Sequence, residues 1–126
     1  MLTELQIENY KCFEKYRVNF NDLVVAVGKN NAGKTTLLEA LRLISLVTNR
    51  YKTVSYIGKP YWLNETKYHG ISPSLKNIEI QLKNAIYNFG DPPAKITAKF
   101  HSKCKIELYI GPNEELFAVI YGHDNN

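Results

Sequence analysis

Apolar and polar residues alternate from Thr3 to Glu8, with Leu5 and Ile7 set against Glu4, Gln6 and Glu8. That two-residue period predicts a half-buried β-strand. Tyr16, Val18 and Phe20 repeat it and predict a second. After the turn residues Asn21 and Asp22, the run Leu23-Val24-Val25-Ala26-Val27 is apolar at every position and ends at Gly28. A strand covered on both faces has this pattern. The spacing then changes. From Lys34 to Thr48, Leu37, Leu38, Leu41 and Ile44 recur at helical intervals with Ala40 and Val47 beside them, and Asn49 suits a left-handed stop. A central strand, a glycine-led loop and a helix therefore follow one another directly.

Residues 50–75 lose this periodicity and collect Gly58, Pro60, Gly70 and Pro73, the composition of a long loop with a job of its own or of a mobile one. Alternation returns in Ile78, Ile80 and Leu82, in Ile96, Ala98 and Phe100, in Cys104, Ile106, Leu108 and Ile110, and from Leu116 to Tyr121. Ser102-Lys103 and Gly111-Pro112-Asn113 supply short turns between them, so these strands predict an antiparallel meander. One compact domain results, with strands, loop and helix in 1–49, a basic aromatic loop in 50–75 and antiparallel strands in 76–123.

At 126 residues and 44% apolar content the chain can bury a core for one domain. No apolar run approaches the roughly 20 residues of a membrane span, and Met1 leads into a polar strand pattern rather than a signal core. No membrane partner is expected. Cys12 and Cys104 stand far apart without metal or redox spacing, which fits a reducing, cytoplasmic setting. The net charge is +4. Between Arg42 and Lys76, six basic residues (Arg42, Arg50, Lys52, Lys59, Lys67 and Lys76) face Glu65 alone, a local net +5. Tyr51, Tyr56, Tyr61, Trp62 and Tyr68 interleave with this cluster. They can stack on nucleic acid or a protein partner, or form a lid packed on the chain's own strands. His69, His101 and His123 have no triad or ligand spacing.

The chemistry concentrates in Gly28-Lys29-Asn30-Asn31-Ala32-Gly33-Lys34-Thr35, which matches the phosphate-binding pattern GxxxxGK(S/T) at every fixed position. Average residue usage produces such a match in a chain this long on the order of one time in a few hundred. The buried strand before it and the helix after it make chance rarer still. Successive backbone N–H groups must wrap a polyphosphate, and glycines at the bends bring the main chain close enough. Asn30 and Asn31 tolerate positive φ, and Asn30 to Gly33 line the anion's path. The loop empties into a helix N-terminus, whose unpaired N–H groups and dipole favour an anion. Lys34 then reaches the β/γ-phosphates as the catalytic cation, and the Thr35 hydroxyl ligates Mg²⁺. Thr36 either touches the α-phosphate or caps the helix.

The opening LTELQIENYKCF, followed by a strand and VVAVGKNNAGKTTLLEALRLI, resembles the amino terminus of the ABC-type ATPases of the SMC, RecF and OLD group. Ile7, Asn9, Tyr10, Lys11 and Phe13 match that group's I-x-N-(F/Y)-(K/R)-x-(F/Y) motif, and Gly28 to Thr36 match its phosphate loop. The double Asn30-Asn31, where transporters and many SMC proteins carry Asn-Gly, is more similar to OLD-type and related phage-defence ATPases. The resemblance implies an α/β P-loop NTPase fold, here an ABC-type amino-terminal lobe with a central strand, P-loop and helix beside an antiparallel meander. It implies ATP and Mg²⁺ as cofactors, with Lys11 to Phe13 near the base or α-phosphate or else forming a surface turn.

That group also carries an Asp-Glu pair after an apolar strand and a Ser-Gly-Gly signature, and this chain has neither. The expectation is an amino-terminal lobe that needs the remaining ATPase lobe and a second ATPase subunit, as a homodimer or higher oligomer, to close ATP between them. The isolated chain is expected to be inactive. The driven process would be phage defence or DNA maintenance, with a downstream effector protein and nucleic acid as further partners. Two other classes stay open: a non-hydrolysing, nucleotide-bound scaffold, and a GTPase or nucleotide kinase. The guanine-reading Asn-Lys-x-Asp segment is absent.

Overall fold

The computed structural model describes residues 2–11, 13–19, 31–50, 57–58, 60–63, 70–72, 86, 90, 92–101 and 104–122, with 31–34, 50 and 113 in backbone only. Strands β1 (Leu2–Tyr10) and β2 (Phe13–Asn19) precede helix α1 (Asn31–Arg50). Strands β3 (Ala94–Phe100), β4 (Lys105–Ile110) and β5 (Leu116–Tyr121) follow, with a 3-10 turn over Pro112–Glu114 between the last two. They form one sheet in the order β2-β1-β3-β4-β5. Every neighbouring pair is antiparallel. The meander expected of β3, β4 and β5 is present, and the amino-terminal hairpin joins it through β1 and β3, where Leu5 faces Ala98 and Ile7 faces Ile96. The strands expected at 23–27 and 78–82 lie outside the described residues.

Alternation decides what each face meets. Leu5, Ile7, Ile96, Ala98, Ile106, Leu108 and Ala118 share the inner face and are at most 5% exposed. They pack with Leu37, Ala40, Leu43, Ile44 and Val47 of α1 in one cluster. Each fully buried aliphatic side chain there contributes about 1.5–3 kcal/mol. The buried stripe of α1 is not quite the expected one, since Leu38 is 48% exposed. The helix also runs through Asn49 rather than stopping there in a left-handed conformation. Leu46 and Val47 remain buried in its last turns, so packing still favours helix at that point.

The motif around Asn9 has a structural origin in this sheet. Strict alternation would put Tyr10 with Gln6 and Glu8 on the outer face, yet Tyr10 is buried in the same cluster as Leu5 and Ile7. Asn9 has φ 58. This left-handed residue interrupts the alternation, and Asn is among the few side-chain-bearing types that adopt it readily. The Asn9 Nδ2 donates to Pro93 O at 3.1 Å, fixing the bend against the chain that leads into β3. Lys11, the first of two residues between the paired Tyr10 and Phe13, has φ 50, the sign that primed hairpin turns require there. Phe13 stacks on Tyr16 with ring centroids 4.5 Å apart.

The outer face carries a smaller core. Leu63, Tyr109, Phe117 and Val119 are buried together, with Trp62 and Tyr121 against them. Beside this patch, Tyr109 and Tyr121 both donate hydroxyl hydrogen bonds to Glu107 Oε1 at 2.9 Å. Lys95 and Lys105 approach the other oxygen at 3.7 and 3.4 Å.

The loop expected over 50–75 is not separate from the strands. Ile71 exchanges two backbone hydrogen bonds with Ala118 of β5, both 2.8 Å, and Gly70 exchanges two with Ile57. A Cβ on Gly70 would stand 2.1 Å from the Ala118 carbonyl oxygen, so only glycine permits this approach.

Candidate functional site

Of the candidate phosphate-binding residues, Asn31 to Thr36 lie at the start of α1. Asn30 lies outside the described residues. The backbone of Asn31, Ala32, Gly33 and Lys34 forms the first turn of α1, three residues earlier than the apolar spacing alone predicts. Thr35 is exposed and Thr36 is buried, 5% open. No acidic residue occurs in that first turn. The N–H groups and positive dipole end of a 20-residue helix therefore meet no carboxylate from their own turn.

Lys11 is brought to the same helix from the hairpin. Its Nζ lies 2.6 Å from Glu39 Oε1 and 5.5 Å from the centre of the Tyr10 ring. The two side chains are 21% and 19% exposed. Glu39 stands four residues after Thr35 and three after Thr36, on the same stripe of the helix. Sequence reasoning did not single out Glu39. Its signal would have been an acidic residue placed one turn beyond the threonines of the phosphate motif.

The aromatic part of the 50–75 segment belongs elsewhere. The Trp62 ring covers Gly111 and its Nε1 donates to Glu115 Oε2 at 2.8 Å. Leu63 is fully buried, while Tyr61 is 81% exposed. Of the expected roles for this segment, packing on the chain's own strands is the one that Trp62 and Leu63 fulfil. Trp62 packs against β4, β5 and their turn while staying partly exposed.

A shallow cavity of about 300 Å³ opens beside Gln6, Glu8, Lys15, Tyr16 and Arg17. Glu8 and Lys15 are cross-strand partners there, so opposite charges face one another and no single ligand charge is selected. Among the described residues, no helix is long and apolar enough to cross a membrane.

A family model for the AAA ATPase domain matches residues 1–120. The chain belongs to this family. The AAA ATPase domain is a P-loop NTPase, and its resemblance to the SMC, RecF and OLD group stands. It is 43% identical over 44 residues to the OLD nuclease of Thermus scotoductus, covering 35% of this chain and 8% of that protein. It is 39% identical over 46 residues to the DNA replication and repair protein RecF of Bacillus thuringiensis, covering 36% of this chain and 12% of that protein. The chain thus spans about a tenth of the length of these relatives. No solved structure matches it.

Proposed function

We propose that this AAA ATPase domain binds Mg²⁺ and ATP where the phosphate loop meets α1. Joined to a remaining ATPase lobe and a second ATPase subunit, it hydrolyses ATP to drive a conformational switch in DNA maintenance or phage defence. The observation that supports this most directly is the start of α1, which carries Gly33-Lys34-Thr35-Thr36 and no carboxylate in its first turn. That donor set fits the nucleotide: N–H groups and a lysine for phosphate oxygens, and a threonine hydroxyl for the metal. Asn30, Asn31, Ala32 and Gly33 would supply backbone N–H groups, Lys34 the cation on the β/γ-phosphates, Thr35 the ligand to Mg²⁺ and Thr36 an α-phosphate contact. Lys11 would add a second cation near the α-phosphate. Thr35 and Lys34 would hold the metal and the β/γ-phosphates, and the metal–nucleotide pair would supply, when bound, the phosphoanhydride and neutralisation of its charge.

The reading of the chain as an amino-terminal lobe of an ABC-type ATPase rests on its small share of the relatives' length and on the lack of an Asp-Glu pair or Ser-Gly-Gly signature. The basic residues of 50–75 in the sequence, Arg50, Lys52, Lys59 and Lys67, keep nucleic acid among the proposed partners. Calorimetry of Mg²⁺·ATP binding to the full-length protein tests the core of the proposal. Lys34→Ala should weaken affinity at least tenfold by removing a charge-assisted contact, and Thr35→Ala should reduce the dependence on Mg²⁺. Unchanged binding in both variants would refute it.

A further inference from the structure

We infer that Glu39 is a positioning residue for the nucleotide site, holding the Lys11 ammonium on the helix stripe that carries Thr35 and Thr36. The inference rests on the nucleotide reading above. A helical side chain tilts toward the helix N-terminus, so a carboxylate at position 39 covers the turn occupied by Thr35 and Thr36. That turn is about 6 Å along the axis from Glu39. Lys11 reaches Glu39 from the β1–β2 hairpin, where it adopts a left-handed conformation, φ 50. The 2.6 Å pair with Glu39 then holds the ammonium in place. An ammonium has three donors. With Glu39 taking one and a fifth of the Lys11 side chain open to solvent, donors remain for a phosphate oxygen. A clamp between hairpin and helix alone would work at any point along α1, whereas this one stands one turn from the phosphate motif.

The sign of one substitution separates positioning from simple electrostatics. A carboxylate near a polyphosphate repels it, so Glu39→Gln should tighten binding if charge were its only influence. A positioning role makes Glu39→Gln weaken binding, because Lys11 is no longer held. Mg²⁺·ATP affinity is measured calorimetrically on the full-length protein as wild type, Lys11→Met, Glu39→Gln and the double variant, with thermal unfolding of each alongside. Lys11→Met should weaken binding about tenfold and Glu39→Gln about three- to tenfold, with the double variant no weaker than Lys11→Met because both act through one contact. Glu39→Asp, which keeps the charge at shorter reach, should recover part of the loss and serves as the second variant if Glu39→Gln does not fold. Tighter or unchanged binding in Glu39→Gln, or losses that add fully in the double variant, would overturn the inference. Lys34→Ala keeps the two readings apart: if it abolishes binding while Glu39→Gln does not weaken it, only the positioning role fails.

Discussion

The Trp62 indole lies across Gly111 and donates to Glu115 at 2.8 Å, closing the turn between β4 and β5 from outside. A Cβ on Gly111 would meet the ring at 2.3 Å. Gly111 has φ −100, so its backbone suits any residue and the constraint is steric alone. Gly111→Ala should destabilise the domain by about 1–3 kcal/mol through overpacking, and most of that cost should vanish in a Trp62→Ala background. Denaturant unfolding of the two single variants and the double checks this, with the fluorescence of the chain's single tryptophan reporting ring displacement.

Gly70→Ala should be more damaging than Gly111→Ala. The obstacle at Gly70 is the backbone oxygen of Ala118 rather than a ring that can turn aside. Hydrogen exchange should show the amides of Ile71 and Ala118 losing protection together, since each donates to the other's carbonyl.

Glu107 makes stability depend on pH. Burial raises its carboxyl, but hydrogen bonds from Tyr121 and Tyr109 and the charges of Lys95 and Lys105 outweigh that and hold the pKa below the ordinary 4.5. A depressed folded pKa gives stability that is present above the unfolded value and lost as pH falls through the folded one. Glu107→Gln should lower stability at neutral pH and flatten its fall below about 4.5. Urea midpoints measured from pH 7 to pH 3 would reveal an unchanged acid limb if the network contributed nothing.

Asn9 should tolerate glycine far better than a β-branched residue. Asn9→Gly keeps access to φ 58 and loses the bond to Pro93, a cost of about 1 kcal/mol. Asn9→Val must adopt a left-handed conformation at a further cost of about 1–3 kcal/mol. Equal melting temperatures for the two variants would show that the left-handed residue does not matter.

The isolated 126-residue chain should bind nucleotide without turning it over, because it lacks the carboxylate pair that orients attacking water. Phosphate release above background that disappears in Lys34→Ala would place the missing chemistry within this chain.

Local patterns proved readable wherever one neighbour decides them. The alternation of Leu5 and Ile7, the helical spacing of Leu37, Ile44 and Val47, and the turn at Gly111-Pro112 all depend on nearby residues and on a single buried face. Long-range relationships were not readable in this way. The burial of Tyr10 beside Ile7 comes from a left-handed Asn9 held by Pro93, 84 positions away. Likewise the Lys11–Glu39 pair joins a hairpin turn to the middle of a helix. Leu38 matched the apolar spacing yet faces outward, since composition says which residues are apolar but not which side the sheet will cover. In 50–75 the glycines and prolines suggested a free loop, whereas Gly70 serves a close backbone approach to β5.

The pairing of Leu2 with Phe100 and of Glu8 with Lys95 also sets an order of assembly. A strand at the amino terminus hydrogen-bonds to one that the ribosome delivers almost a hundred residues later. The β1–β2 hairpin can close early, but a lone hairpin is at best marginally stable in water. Its inner apolar face gains the β3 side of its sheet only after β3 leaves the exit tunnel. During synthesis the phosphate-loop segment therefore emerges ahead of the strand that completes this scaffold.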